Sequence, residues 1–249
     1  MTIRSKVRFL MKNNHIVKDA FILSAGLGKR LLPYTKYNPK PLVPINEKPM
    51  IEYILDALFD IRIRNIYINT YYLSDQIEKY FQTKGLTNVH IKVENELLDT
   101  GGGVKSGLGE EYSDPIFIIN CDALVLQNYS RLLSELRDNF IPNDMDAILA
   151  LSKVSDAIGY SGSGDFYLGK NNILESEKEI SSKYVFMGIS ILNPITLRLT
   201  DKKNFSLIEI WEKLIFDKKC YGRMYYNKWC HTGTSQSLDY ADKFFREQN

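Results

Sequence analysis

Residues 21 to 42 read FILSAGLGKRLLPYTKYNPKPL, an apolar run that stops at two glycines and two cations and is followed by a lysine between prolines. Gly26 and Gly28, placed directly after a strand, permit positive φ angles and close backbone approach, so that successive amides can point at one anion. Lys29 and Arg30 add positive charge at the same place. Between residues 26 and 48 stand five bases, Lys29, Arg30, Lys36, Lys40 and Lys48, against the single acid Glu47. A polyphosphate suits such a loop; a tight turn carrying solvated cations is the alternative. Two common phosphate loops do not fit. A Walker loop would follow Gly28-Lys29 with a hydroxyl residue, and Arg30 stands there. The dinucleotide fingerprint lacks its third glycine, because Leu31 occupies that position, and the prolines that follow exclude an immediate long helix.

Lys40 strengthens the phosphate reading. Pro39 and Pro41 fix the backbone on both sides of it, so a flexible cation projects from a stiff segment. A proline-rich surface turn explains the prolines but not the lysine. A carboxylate complements these cations: the apolar run IINCDA ends in Asp122, which belongs at the C-terminal edge of a parallel sheet, where such sheets bind ligands.

The elements that must position these residues follow from the hydrophobic pattern. Short apolar runs at 20–23, 65–72, 89–94 and 115–120 read as strands, and residues 49–61 carry Ile51, Ile54, Leu55, Leu58 and Ile61 at helical spacing. A polar helix is expected at about 74–83. Strands alternating with helices imply a mainly parallel sheet covered on both faces, a three-layer Rossmann-like α/β fold. After residue 144 the pattern changes to strand-like pieces separated by Gly and Asn turns, which predicts an antiparallel addition at the sheet edge. Ser206 and Glu209 fit a capping box for a helix at about 206–218 with Leu207, Ile210, Trp211 and Leu214 on its apolar face.

The chain has 249 residues, 44% hydrophobic and 25% charged, and a net charge of +2. That is the composition of an ordinary globular protein, and its balanced charge gives no reason to expect nucleic acid as a partner. Cys121, Cys220 and Cys230 are odd in number and unpaired in spacing, which points to a reducing compartment, and no apolar stretch reaches the ~18 residues of a membrane helix. A cytoplasmic protein without membrane association is the expectation. Residues 1–18 form a basic leader, with Arg4, Lys6, Arg8, Lys12 and Lys18 and no acid, to which no function is assigned; residues 19–249 form one domain. A monomer is compatible with the sequence, which carries no sign of oligomeric state.

The stretch LSAGLGKRLLPYTKYNPKPLVPINEKPMIEY resembles the signature of the sugar-1-phosphate nucleotidyltransferases, L-A-A-G-x-G-x-R-[LM]-x-P followed by P-K-P-[LM], with Ser24 in place of the usual alanine. The resemblance continues through LLDTGGGVKSGL, INCDA, GSGDF, FMGISILNP, FSL and W-x-x-x-GT, in the order found in the N-acetylmuramate-1-phosphate uridylyltransferase branch. It implies attack of a sugar 1-phosphate oxygen on the α-phosphorus of a nucleoside triphosphate, with pyrophosphate leaving. Arg30 and Lys40 would be catalytic, Arg30 stabilising the departing pyrophosphate and Lys40 the α-phosphate or the incoming sugar phosphate. Ala25, Gly26, Gly28 and Lys29 would hold the phosphates. Gly101, Gly102 and Gly103 would let the base lie against bare backbone, and Asp122 would hold Mg2+. Gly188 would allow backbone approach to the sugar, with Asp165 and Glu175 as further candidates for its hydroxyls.

One position departs from the pattern. The branch reads W-x-D-x-G-T, its aspartate being a second metal carboxylate, whereas this chain has His231 in Trp229-Cys230-His231-Thr232-Gly233-Thr234. Histidine prefers softer metals and brings no negative charge. The preferred expectation is a metal held by Asp122, phosphates and water. Otherwise His231 ligates a manganese-like ion or contacts phosphate, or activity is reduced. N-acetylmuramate 1-phosphate with UTP is the expected substrate pair, in cell-wall sugar recycling. The rivals are a mannose-1-phosphate guanylyltransferase or other hexose-1-phosphate enzyme, a phosphocholine cytidylyltransferase, and a non-catalytic nucleotide-sugar sensor.

Overall fold

The computed structural model describes residues 16–175 and 183–247. Most of the basic leader therefore lies outside the described residues, but Val17 is already buried in the core. In chain order the strands are β1 (Asp19–Leu23), β2 (Pro44–Ile45), β3 (Lys48–Pro49), β4 (Asn65–Thr70), β5 (Val89–Val93), β6 (Ile116–Asn120) and β7 (Ala123–Val125), then β8 (Ala147–Ser152), β9 (Ala157–Ile158), β10 (Tyr167–Leu168), β11 (Leu174–Glu175), β12 (Val185–Leu192), β13 (Cys220–Met224) and β14 (Trp229–His231). The α-helices are α1 (Met50–Asp60), α2 (Ser74–Lys84), α3 (Asp99–Leu108), α4 (Tyr129–Asn139), α5 (Leu207–Phe216) and α6 (Ser235–Arg246).

Seven strands form the main sheet in the order β13, β8, β12, β6, β1, β4, β5. β1 pairs in parallel with both β4 and β6, which is why all five of its residues are buried. Its side chains alternate between the two faces. Ala20 and Ile22 join α1, α2 and α4 in one core, while Phe21 and Leu23 join α3 and α5 in the other. The three-layer α/β fold expected from sequence is therefore present. The added strands extend the sheet beyond β6, where β12 alone runs against its neighbours; β13 pairs in parallel with β8 at the edge.

The capping box at Ser206 and Glu209 is formed and starts α5. A second, smaller sheet, β7, β14, β9, packs beside the main one and carries the WCHTGT segment to it. Leu31, Val43, Ile45 and Met50 meet Leu124, Cys230 and Leu238 in a third core, so the lysine-bearing loop is anchored from below by apolar contact.

Candidate active site

β1 and β6 are adjacent and parallel at the centre of the sheet, so the loops that leave their C-terminal ends emerge together. The amide of Cys121 donates to the carbonyl of Leu23 at 3.1 Å and ties the two exits. After Ala25 the chain turns through Gly28, which has φ +62°, into three short 3-10 turns ending at Leu42. A side chain at Gly28 would be strained by that φ and would meet Thr35 Cγ2 at 2.7 Å. Gly26 behaves differently from the expectation of paired left-handed glycines: its φ is not positive, and nothing lies within 4 Å of where a Cβ would be. The bare backbone there leaves room for an approaching ligand.

Lys29 and Arg30 are exposed, and among the described residues neither is in an ion pair. Lys40 is held by buried Pro39 and Pro41 and pairs with Asp122 Oδ2. The same oxygen receives His231 Nε2 at 2.9 Å. An ionised carboxylate only accepts, so His231 donates through Nε2. Burial works to raise the Asp122 carboxyl, but the charge of Lys40 and the hydrogen bond from His231 outweigh it and hold the group well below the usual carboxylate range. Thr232 secures the arrangement, its amide and hydroxyl both donating to the Asp122 carbonyl, at 3.0 and 3.1 Å. Burial pushes the neighbouring Cys121 thiol up to about 12, so it packs as an inert apolar group.

Lys40, Cys121 and Asp122 border a cleft of about 250 Å³ that is also lined by Ser24, Ala25, Gly26 and, on the opposite rim, Glu94, Leu97, Asp99 and Thr100. Among the described residues no group of three or more potential metal ligands from His, Cys, Asp and Glu occurs. One carboxylate with phosphate oxygens and water is nevertheless a normal magnesium environment. Asp122 fits that role, and His231 stands beside it as a nitrogen donor.

The three glycines at 101–103 lie near the start of α3 and do not line the cleft. They lie buried inside α3, and the amides of Gly101 and Gly102 donate to the Phe205 carbonyl at 2.9 and 3.1 Å. A Cβ at Gly101 would stand 2.3 Å from the Phe205 ring, and one at Gly102 would stand 2.3 Å from the Lys203 carbonyl oxygen. Their bareness serves helix packing, and Leu97, Asp99 and Thr100 form the rim instead. Gly188 has φ +75° at an irregularity in β12 and packs on Asn120 and Ala123, close behind Asp122.

Asp165 does not present a free carboxylate. It accepts from the Tyr160 hydroxyl and the Phe186 amide, both at 2.8 Å, and so pins the 160–165 loop to β12. Glu175 borders a separate cavity with Ile215 and Phe216 at the end of α5, and the fold does not bring it to the Asp122 cleft. A further cavity, about 480 Å³, lies at the C-terminal end of α3, but its cations Lys105 and Arg198 are already bound to the carbonyls of Thr200 and Glu110.

Sequence reasoning passed over Asn69, Glu94 and Thr232, which the structure places in or under the cleft. The available signal was polar residues at the C-terminal ends of apolar strands, Asn69 in NIYINTYY and Glu94 after VHIKV.

Residues 19–248 match the nucleotidyl transferase family. The chain is 29% identical to the N-acetylmuramate alpha-1-phosphate uridylyltransferase of Caulobacter vibrioides, over 88% of this chain and 93% of that one. It is 30% identical to the D-glycero-alpha-D-manno-heptose 1-phosphate guanylyltransferase of Aneurinibacillus thermoaerophilus, over 82% and 88%. In fold it is similar to a UDP-glucose pyrophosphorylase complexed with UDP-glucose, with a TM-score of 0.75 at 17% identity, covering 94% of this chain and all of that one. The inositol-1-phosphate CTP transferase from T. maritima gives 0.74 at 17% identity, covering 93% and 96%. Matched over nearly all of its own length, the chain belongs to the nucleotidyl transferase family, alongside sugar-1-phosphate nucleotidyltransferases.

Proposed function

We propose that the protein joins a sugar 1-phosphate to a nucleoside triphosphate, giving a nucleotide sugar and pyrophosphate, with N-acetylmuramate 1-phosphate and UTP as the pair. The observation that carries this reading is that Lys40 and Asp122 line one cleft with Ser24, Ala25 and Gly26, the start of the loop that continues to Arg30. A phosphate oxygen of the sugar 1-phosphate attacks the α-phosphorus, and the bond from that phosphorus to the β-phosphate bridging oxygen breaks. The nucleophile is already an anion, so the reaction asks for charge compensation and alignment rather than a strong base.

Arg30 is free to meet the departing pyrophosphate with a planar set of donors. Lys40 lies where it can exchange Asp122 for the α-phosphate or the sugar phosphate. Gly26 and Gly28 give the triphosphate access to backbone amides, with Ala25 and Lys29 beside them. Asp122 would hold a divalent ion, Mg2+ by its oxygen chemistry, and such an ion supplies charge neutralisation between the phosphates. Gly188 remains in the proposed sugar side of the site. Asp165 acts there only by shaping the loop, and Glu175 is left out because it faces another cavity.

The choice of UTP and N-acetylmuramate 1-phosphate rests on the Caulobacter relative and on the shared motif order, and it would place the protein in the reuse of cell-wall sugars. Guanylyltransferases of similar identity favour GTP with a heptose or mannose 1-phosphate as the second reading. All three cysteines are free and buried, which supports a cytoplasmic setting. Among the described residues no helix is long and apolar enough to cross a membrane. Pyrophosphate release over a panel of sugar 1-phosphates and the common nucleoside triphosphates, with the product identified by mass, tests the proposal. Product from UTP and N-acetylmuramate 1-phosphate at the highest kcat/KM is expected. Binding without turnover of any pair would overturn it in favour of a sensor.

A further inference from the structure

Beneath the cleft, a line of buried polar groups crosses from the phosphate loop to the opposite rim. The amide of Ser24 donates to Asn69 Oδ1 at 2.7 Å, and Asn69 Nδ2 donates to Glu94 Oε1 at 2.7 Å. Asn69, Ser24 and Glu94 are all buried, and all three border the cleft. The direction of the bonds is fixed by chemistry. A backbone N–H can only donate, so Asn69 must offer it oxygen, and its remaining amide nitrogen then requires an acceptor on the other side.

The surroundings leave no slack. Glu94 is set in place by its own amide, which donates to the Thr70 carbonyl at 2.8 Å. A Cβ at Gly103 would lie 2.7 Å from both Asn69 Nδ2 and Glu94 Oε1, so α3 can pack over the pair only because residue 103 has no side chain. One end of this line is the first residue of the loop that carries Gly26, Gly28 and Arg30. The other end begins the segment that carries Leu97, Asp99 and Thr100.

We propose that Asn69 is a positioning residue that fixes the separation of the phosphate loop from the Glu94–Thr100 rim and thereby sets the fit of the nucleoside triphosphate between them. The inference rests on the proposed function, since the occupant it measures is the triphosphate. Asn69 touches no reacting atom. Its loss shifts one wall against the other, so it weakens nucleotide binding while leaving the sugar phosphate's own contacts in place.

A polarity swap tests this. Asn69→Asp sets two carboxylates against each other and removes the donor. Glu94→Gln keeps an oxygen for Asn69. The double variant restores the link in reverse, because the new amide at position 94 can donate to the new carboxylate at position 69, which still accepts from Ser24. With steady-state KM measured for both substrates, Asn69→Asp is expected to raise the triphosphate KM by about tenfold, the usual penalty of an unsatisfied buried group, with the sugar-phosphate KM changed by less than about twofold.

The double variant is expected to lie within about threefold of Glu94→Gln, which is coupling rather than a product of independent losses. An unchanged triphosphate KM in a folded Asn69→Asp protein overturns the relay, as does a double variant that loses the product of the two single effects. A purely structural Asn69 would lower the melting temperature and the active fraction without moving KM. If Asn69→Asp does not fold, the double variant decides alone: a triphosphate KM close to that of Glu94→Gln supports the relay, and a weaker or unfolded double variant overturns it. A wild-type chain inactive over the whole substrate panel refutes the underlying function instead, whereas an active wild type with an unaffected Asn69→Asp refutes only the relay.

Discussion

His231 Nε2 lies 2.9 Å from Asp122 Oδ2, so an imidazole, not a second carboxylate, stands beside the acid proposed to hold the metal. Replacing it by Asp adds a hard oxygen ligand and a negative charge beside Asp122. We expect His231→Asp to retain or raise magnesium-dependent turnover and to reach half-maximal rate at lower Mg2+. Without added metal, two adjacent carboxylates share only Lys40, so the variant's melting temperature should fall and then recover more on Mg2+ addition than that of the wild type. A magnesium titration of rate and melting temperature checks both. Complete loss of turnover in the folded variant would show that the imidazole itself is needed.

Arg30 and Lys40 are both cations of the phosphate loop, but their surroundings separate the expected effects. Arg30 is exposed and, among the described residues, has no ion-pair partner. Arg30→Ala should therefore leave the melting temperature unchanged while kcat falls by about 10² to 10³, as when one donor to developing charge is removed. Lys40 and Asp122 have side chains only 12% and 11% exposed. Lys40→Met should lose turnover and also lower stability by roughly 3 kcal/mol, because a largely buried carboxylate keeps only His231. Urea unfolding alongside the rate assay distinguishes the two variants. Near-normal triphosphate cleavage in both would remove the basis of the proposed chemistry.

The parts of this site that were legible in the sequence are those built on local backbone chemistry. Gly28, the prolines around Lys40, and an apolar strand ending in Asp122 each leave a mark within a few residues. The marks were misleading where a residue's role depends on what packs against it. Gly101 to Gly103 read in the sequence as bare backbone against which a base could lie, yet the Phe205 ring stands over Gly101, the Lys203 carbonyl over Gly102, and Asn69 and Glu94 over Gly103. Asp165 looks like a free carboxylate until Tyr160 and Phe186 reach it. Asn69 is an ordinary strand-end residue in the sequence, and only the alignment of β4 with β1 and β5 puts its amide between Ser24 and Glu94. The placement of β12 between β6 and β8 was likewise hidden, since hydrophobic alternation does not encode strand order.

At the far end of the sheet, Asp19 is buried and accepts from Arg64 Nη2 at 2.9 Å, Tyr112 Oη at 2.8 Å and Asn65 Nδ2 at 3.1 Å. Burial works to raise its carboxyl, but these hydrogen bonds and the Arg64 charge outweigh it and hold it below its ordinary value. The stabilisation is fully present above the unfolded value, about 3.9, and is lost as pH falls through the lower folded value. Asp19→Asn should therefore melt below the wild type by a constant margin from neutral pH down to about 5, and the margin should shrink below about pH 4. Melting temperatures of both proteins from pH 7 to 3 test this. A margin that persists undiminished at the acid end would mean that the ionised form contributes nothing.

Gly26 and Gly102 give opposite expectations for the same substitution. At Gly26 an added methyl meets no protein atom within 4 Å, and the φ is ordinary, so Gly26→Ala should change stability by less than about 0.5 kcal/mol. The methyl would instead stand over the backbone that faces the triphosphate, and the triphosphate KM should rise by about tenfold, the equivalent of one good contact. At Gly102 the methyl would lie 2.3 Å from the Lys203 carbonyl oxygen, a backbone atom that cannot rotate away. Gly102→Ala should then push α3 off the 203–205 segment and cost about 1–3 kcal/mol, with kinetic constants following only as the 97–100 rim shifts. Melting temperature and triphosphate KM measured on both variants separate the two roles. A destabilised Gly26→Ala with unchanged KM would show that this glycine serves the fold and that the triphosphate does not lie against it.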